Sequence, residues 1–345
     1  MQTILLTGPT GSVGFETLKL LLRQNDKYKV RVFEIKNRHT ASKLSTFKNM
    51  VDIVWGDITD LECVKKAVTG CDAIIHTAAM IPPLADEHPD LAERINTGGT
   101  KNLVDAVNRI NPGIFLIYTS SISVYGDRIN NPVISVLDKI NPSPRDFYAL
   151  TKINAEHYIK CNMLNFTIFR LSAVFSPIMK PDPLMFHMPL NTQLEIVTAK
   201  DTAKALVSAV DKKMYLNERT FNLGGGKECR ISYKDFLNGN FKIFGLNKLD
   251  FPETAFAEKN FHCGIYKDSH VLDRILHFQT ESINDHFRLV AAQISFPKKV
   301  MTWLLRHLIK KNMLKNSEPF KAVLNRNIEM LNYFFNRKTR ENALQ

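Results

Sequence analysis

The sequence predicts an α/β protein: a doubly wound parallel sheet with a smaller, mostly C-terminal substrate-binding domain. Between residue 3 and about residue 171, short β-branched or aromatic runs alternate with helical patterns, the signature of parallel strands joined by crossover helices. Several of these runs are apolar throughout, as strands covered on both faces are. A glycine-rich turn follows the first of them. With 345 residues, 44% apolar and 23% charged, the chain can form one large α/β unit or two ordinary domains. Disordered, collagen-like and disulfide-scaffold classes are excluded.

The strands are expected at 3–7, 30–35, 52–56, 73–77, 114–121 and 166–171, and the helices at 13–23, 61–69, 91–108 and 146–163. After Pro177 the pattern loosens into the Pro-rich PIMKPDPLMFHMPL, then a strand at 194–198, a helix at 202–210 and TFNLGGG at 220–226. From about Asn240 short helices and loops dominate, ending in a long basic helical stretch. The expected domains are a Rossmann-type unit over 1–176 with return segments near 194–224, and a substrate-binding and helical region over 177–193 and 225–345. The latter includes a basic tail at 296–345.

The first strand leads into Thr7-Gly8-Pro9-Thr10-Gly11-Ser12-Val13-Gly14, which opens a helix. Glycines there let the backbone approach a pyrophosphate, whose charge is met by free helical N–H groups. An acid, Glu34, stands 20 residues after Gly14 at the end of the second strand. An acid at that place accepts hydrogen bonds from the adenosine ribose and repels a 2′-phosphate, which favours NAD over NADP. Lys36 and Arg38 follow closely, are suited to holding a 2′-phosphate, and leave NADP open. Three more segments fall at strand ends, where open α/β sheets bind ligands: Gly56-Asp57-Ile58, His76-Thr77-Ala78-Ala79, and Thr119-Ser120-Ser121 leading to Val124-Tyr125-Gly126.

Tyr148 and Lys152 form a YxxxK early in a helix, the only one of the nine tyrosines with Lys four residues on. About one such spacing is expected by chance, so its place after Ser121 matters more than its presence. Four-residue spacing puts both side chains on one helix face. A phenol must fall from about 10 toward 7 to act as a base at neutral pH, roughly 4 kcal/mol of phenolate stabilisation. Lys152 and a cationic nicotinamide are the groups expected to supply it.

These residues together resemble the extended short-chain dehydrogenases/reductases, in particular the NAD-dependent epimerase/dehydratase group. The resemblance runs over about residues 1–240: TGPTGSVG, Glu34, GDI, HTAA, Asn96-Thr97-Gly98-Gly99-Thr100, SSISVYG, YALTK with Glu156, Arg170 before AVFSP, and Asp201 with Ala203. It implies that Tyr148 is the general acid/base, that Lys152 holds the nicotinamide ribose and depresses the Tyr148 pKa, and that Ser121 hydrogen-bonds the reacting oxygen. It further implies that Gly8, Thr10, Gly11, Ser12, Val13 and Gly14 cradle the cofactor and that Asp57 and Ile58 contact adenine. Thr77, Ala78, Ala79, Thr119 and Ser172 carry over as further cofactor residues, Ala78 and Ala79 along its central portion, while Asn96 carries over as structural. No metal is implied.

Departures from the group bear on substrate. Its sugar-nucleotide members usually carry Asn and Gly where this chain has Ala173 and Ser176, and often an Arg that 191–198 lacks. Ile122 and Ser123 offer no Asp-Glu pair for elimination chemistry. An apolar pocket wall is expected instead from 80–84 and 178–190, with Met185, Phe186 and Met188; the other reading of those residues is domain core. The expected activity is NAD(P)-dependent hydride transfer between nicotinamide and a secondary alcohol or ketone. A nucleotide-sugar epimerase or dehydratase is the first alternative. A non-catalytic dinucleotide sensor is the second, and the intact Ser/Tyr/Lys set argues against it.

Net charge is +12, and 296–345 holds eleven Lys and Arg against three Glu, a net of +8. Within it Val300, Met301, Leu304, Leu305, Leu308 and Ile309 fall on one helical stripe flanked by Trp303, with Lys299, Arg306, Lys310 and Lys311 off it. Such a helix can lie on an anionic bilayer as a peripheral contact. The commoner arrangement packs the stripe on the substrate domain or a second subunit, and that is the expectation here. Nucleic acid is not an expected partner, because no recognition module is present and the aromatics near Tyr333 are clustered. Five cysteines without CxxC spacing read as reduced thiols, and the opening MQTILLTG has no basic leader. A cytoplasmic homodimer is the expected setting.

Overall fold

The computed structural model describes residues 1–175 and 183–344. The expected domain boundary after residue 176, the Ser176 departure and residues 178–182 of the apolar segment lie outside the described residues.

Seven parallel strands form the main sheet: β1 (Gln2–Thr7), β2 (Tyr28–Glu34), β3 (Asp52–Trp55), β4 (Ala73–His76), β5 (Phe115–Ser121), β7 (Phe166–Leu171) and β10 (Arg219–Leu223). Their order is β10-β7-β5-β4-β1-β2-β3. The chain fills one side outward from β1, then returns to place β4 against β1 with Thr7 opposite His76. A crevice therefore opens at the carboxyl ends of β1 and β4, where the strand order reverses.

Each face of the sheet is closed by helices. Leu18, Leu21 and Leu22 of Ser12–Leu22 and Ala205, Leu206 and Ala209 of Ala199–Val210 meet Ile4, Leu6, Val32 and Ile75 on one face. On the other, Leu61–Val68, Gly99–Ile110 and Phe147–Asn162 bring Val64, Leu103, Val107 and Ile159 onto Leu5, Ile74, Leu116 and Ile168. Alternate residues of β1 thus serve two different cores, which is why the strand reads as an unbroken apolar run. Each Leu or Ile so buried contributes roughly 1.5–3 kcal/mol of transfer free energy.

Two expectations need correction. The helix expected over 91–108 is broken into a short turn, Pro89–Ala92, a π-helical segment, Glu93–Gly98, and an α-helix, Gly99–Ile110. A helix not expected, Arg38–Ser45, follows β2; Asn37 and Thr40 cap it reciprocally. Only Thr40 and Leu44 of that helix are buried, so it lacks the apolar period that would reveal it.

A smaller sheet of β8 (Ala173–Phe175), β9 (Gln193–Thr198) and β11 (Arg230–Ser232) joins the sheet region to an aromatic-rich third core containing Phe186, Phe236, Phe241 and Phe256. Buried Glu195 on β9 pins it, accepting from Arg230 Nε, the Gly226 and Tyr266 N–H groups and the Ser269 hydroxyl. Val133–Ile134 (β6) pairs with Ile265–Tyr266 (β12) beside them. A basic helix, Phe296–Lys315, and three shorter ones, Glu318–Leu324, Ile328–Phe334 and Arg337–Leu344, complete the chain. No described helix is long and apolar enough to cross a membrane.

Candidate active site

The glycine turn occupies the crevice between β1 and β4. Gly8 has φ +67°, and a Cβ there would stand 2.8 Å from the Ala78 main chain. A Cβ on Gly14 would stand 2.1 Å from Gly8 O and 2.9 Å from Thr77 Oγ1. Thr77 itself donates to Thr7 O at 2.7 Å, so turn, helix and β4 are in direct contact. Gly11 differs: its Cβ would meet only Gly8 O at 3.5 Å, an ordinary contact, and its place at the start of Ser12–Leu22 is open for a ligand. Thr10 donates its hydroxyl to Glu34 Oε2 at 2.7 Å, and Ile35 N–H meets Oε1. The acid at the end of β2 is thereby held beside the turn that opens 24 residues earlier.

At the mouth of β5, Ser121 caps its own short 3-10 turn by accepting the Ser123 N–H. Phe147–Asn162 presents Tyr148 toward it and sends Lys152 beneath. Burial pushes the Tyr148 phenol well up; the Ser121 hydroxyl bonded to it pulls it down, while Asp146 and Asp86 push it further up. Lys152 Nζ donates to Thr119 O at 2.8 Å and lies 5.7 Å from the Tyr148 ring centre. Burial drives its ammonium down to about 7, partly offset by Glu156. The expectation is that Lys152 and a cationic nicotinamide lower the phenol together, and Lys152 is not among the groups that lower it in the chain by itself. There burial holds the phenol above its ordinary value.

Further contacts position this set, and spacing in the sequence did not reveal them. Asn96, in the π-helical segment, bonds both backbone groups of Met80 and donates to Thr151 Oγ1 on the Tyr148 helix. Asp86 accepts the Tyr148 N–H and Asp146 the Ala149 N–H, two carboxylates at the positive end of that helix. His262 Nδ1 lies 2.6 Å from Asp146 Oδ2, and burial raises the Asp86 carboxyl. Glu156 is salt-bridged to Arg170 through Nε at 2.9 Å and Nη2 at 2.7 Å and accepts from Ser120. Under the sheet, His76 bridges Thr7 Oγ1 at 2.7 Å and Thr100 Oγ1 at 3.0 Å. Thr100 donates its one proton to Asn96 O, so His76 must donate through Nε2 and accept at Nδ1; burial drives its pKa down to about 3. Asn96, Glu156, Arg170 and His76 fall in the segments that carry the resemblance, and Asp146 stands where the helix is expected to begin, whereas Asp86 and His262 have no sequence signal.

The remaining expected residues are distributed unevenly. Thr119 is buried with its hydroxyl on His76 O, and Ala78 N–H meets Thr7 Oγ1. Ser172, just past β7, is buried with an Oγ that has no hydrogen-bond partner, an orphan that a ligand in the crevice can satisfy. Ser12, Val13, Asp57 and Ala79 are at least partly exposed, and Asp57 turns back to Thr59. The Ile58 side chain is instead packed in the second core against Gly99, and its carbonyl accepts from Asn102. Phe186 and Met188 are buried in the third core. A groove of about 420 Å³ does form along Pro183, Met185 and Phe186, but its other wall is Leu305, Leu308, Ile309 and Met313, and no Ser121, Tyr148 or Lys152 atom lines it. The orphaned Ser172 hydroxyl, the glycine cradle and the anchored Glu34 fit a dinucleotide.

Residues 5–168 match the model of the 3-beta hydroxysteroid dehydrogenase/isomerase family. The 3 beta-hydroxysteroid dehydrogenase/Delta 5-->4-isomerase of Mycobacterium tuberculosis is 33% identical over 165 residues, 45% of this chain and 41% of that protein. The 3 beta-hydroxysteroid dehydrogenase type 7 of Rattus norvegicus is 29% identical over 126 residues, 36% and 37% of the two. The matches thus span about two-fifths of these relatives' length. Among solved structures, the dTDP-glucose 4,6-dehydratase of Bacillus anthracis with NAD superposes with TM-score 0.69 at 17% identity, over 85% of this chain and 96% of that one. The UDP-glucuronic acid 4-epimerase of Bacillus cereus, with UDP-glucuronic acid and NAD, gives 0.69 at 20% identity, over 84% and 98%. Those likenesses show the fold. The family match covers the residues that carry the crevice, just under half of the chain, and over them the chain is similar to the extended short-chain dehydrogenases/reductases.

Proposed function

We propose that the protein is an NAD-dependent oxidoreductase acting on a secondary alcohol or ketone carried by an apolar framework of the hydroxysteroid kind. The observation that carries this is the Ser121–Tyr148–Lys152 group at the mouth of β5, beside the glycine turn and the Thr10-anchored Glu34. NAD, bound in several solved structures of the same fold, supplies the hydride exchange when present. Gly8 through Gly14 cradle its pyrophosphate, Glu34 takes the adenosine ribose, and Ser172, Thr119 and Lys152 face its nicotinamide end. Ser121 orients the reacting oxygen and Tyr148 exchanges a proton with it through Oη. Lys152, held on Thr119 O, keeps the positive charge near neutrality poised below the phenol.

The family match to hydroxysteroid dehydrogenases supports an apolar substrate over a nucleotide sugar, as does Ala173 where sugar-nucleotide enzymes carry Asn. Ile122 and Ser123, both buried, supply no acid for elimination. A homodimer and a cytoplasmic setting accompany this reading, and the five unbridged cysteines support only the setting. Tyr148→Phe tests it: turnover should fall by about 10²–10⁴ while NADH still binds. Unchanged turnover on the true substrate removes the acid/base role.

A further inference from the structure

The stripe on Phe296–Lys315 packs on the third core only at its C-terminal end, and Leu305 and Leu308 face Pro183–Phe186 across an open groove. Ile309 is partly covered and Met313 and Lys310 are buried, but Met301 is 57% exposed, Trp303 50%, Leu304 60% and Leu308 67%. The helix carries six Lys or Arg and no acid. Lys310 turns inward to Asp250 and Lys248 O, and Arg306 lies over the Trp303 ring at 4.8 Å. Among the described residues Lys298, Lys299, Lys311 and Lys315 meet no carboxylate within ion-pair distance, so their charge is left for something outside the chain.

We propose that this face docks the protein, independently of its catalytic activity, on an anionic lipid bilayer, with the helix lying in the plane of the headgroups. Twenty residues make a rod about 30 Å long. Its apolar outer stripe immerses at the level of the acyl boundary, Trp303 sits among the headgroups, and the flanking lysines meet lipid phosphates and carboxylates. A second copy is the poorer occupant. A two-fold contact through this face would bring two acid-free basic helices together, crowding the unpaired Lys298, Lys299, Lys311 and Lys315 of one copy with those of the other. A spanning arrangement is excluded by the inward Lys310 and the charge along the helix.

The test uses the full chain with vesicles of phosphatidylcholine alone and of phosphatidylcholine with one-third phosphatidylserine, at low and high salt. Binding is expected to the second and not the first, and to weaken with salt. Each of Lys298→Gln, Lys311→Gln and Lys315→Gln should lower the partition coefficient by about fivefold. Leu304→Glu with Leu308→Glu changes only exposed positions, so melting stays at the wild-type temperature while binding is lost. The chain has two tryptophans. In a Trp55→Phe background Trp303 emission should therefore shift to the blue only with the anionic vesicles. Failure to bind anionic vesicles, or binding that the double Glu variant retains, overturns the proposal. So does a wild-type dimer in sedimentation that the double variant splits, which assigns the face to a second copy.

Discussion

Gly14→Ala sets two physical effects against each other. Helix propensity alone predicts a gain of about 1 kcal/mol, since alanine outranks glycine in a helix. The structure predicts the opposite. A Cβ at 2.1 Å from Gly8 O must retreat by about 1.2 Å to reach an ordinary C···O separation near 3.3 Å. What it meets is backbone already fixed by the Gly11 N–H to Gly8 O bond, with Thr77 Oγ1 closing the other side. Overpacking of that kind costs about 1–3 kcal/mol, so the net effect is a loss. It lowers the melting temperature by a few degrees. A turn displaced by about 1 Å should also weaken NADH binding by about 100-fold, as misplaced site geometry does elsewhere. Gly11→Ala is the paired control: its Cβ makes only a 3.5 Å contact, so melting should be unchanged while NADH affinity drops because the cradle is filled. Thermal melts and fluorescence titrations with NADH read both variants. A Gly14→Ala protein that melts at or above wild type and binds NADH within twofold would show that the turn is not held as described.

Three other outcomes follow from the same geometry. Glu156→Gln leaves Arg170 buried without its carboxylate and should cost about 3–5 kcal/mol, read as a fall in the urea midpoint. Glu34→Ala removes the anchored carboxylate and should shift preference from NADH toward NADPH by about tenfold, measured by parallel titration. Lys152 gives a pH signature. Its folded pKa of about 7 lies below the ordinary 10.5, so between those values the unfolded chain binds the extra proton and stability rises with pH. Wild type should therefore gain stability relative to Lys152→Met from about pH 7 to pH 10, and a flat or falling difference contradicts the buried ammonium.

The sheet was legible because strands covered on both faces cannot hide polar residues: β1, β5 and β7 read as apolar runs within a residue or two of their observed ends. The glycine turn and the Ser121, Tyr148 and Lys152 positions were legible for a related reason, since close backbone approach and shared helix faces impose fixed spacings. Contacts between distant segments impose none. Nothing near Asn96 signals that its amide will reach Met80 and Thr151, and the π-helical segment that aims it has ordinary composition. Nor does the YxxxK spacing say that Lys152 will spend its proton on Thr119 O. The apolar stripe at Met301–Leu308 was visible as a stripe, but periodicity marks which face differs, not what covers it.

The chain Thr7–His76–Thr100–Asn96 has every donor and acceptor along it committed in one direction, with Ala78 N–H closing one end and the Asn96 carbonyl the other. A ring held neutral down to about pH 3 brings no positive charge to the crevice near neutrality. The floor of the crevice therefore keeps one charge state across the range in which the Tyr148 and Lys152 wall titrates, so it sets the dipole that a bound ligand meets and does not vary it with pH.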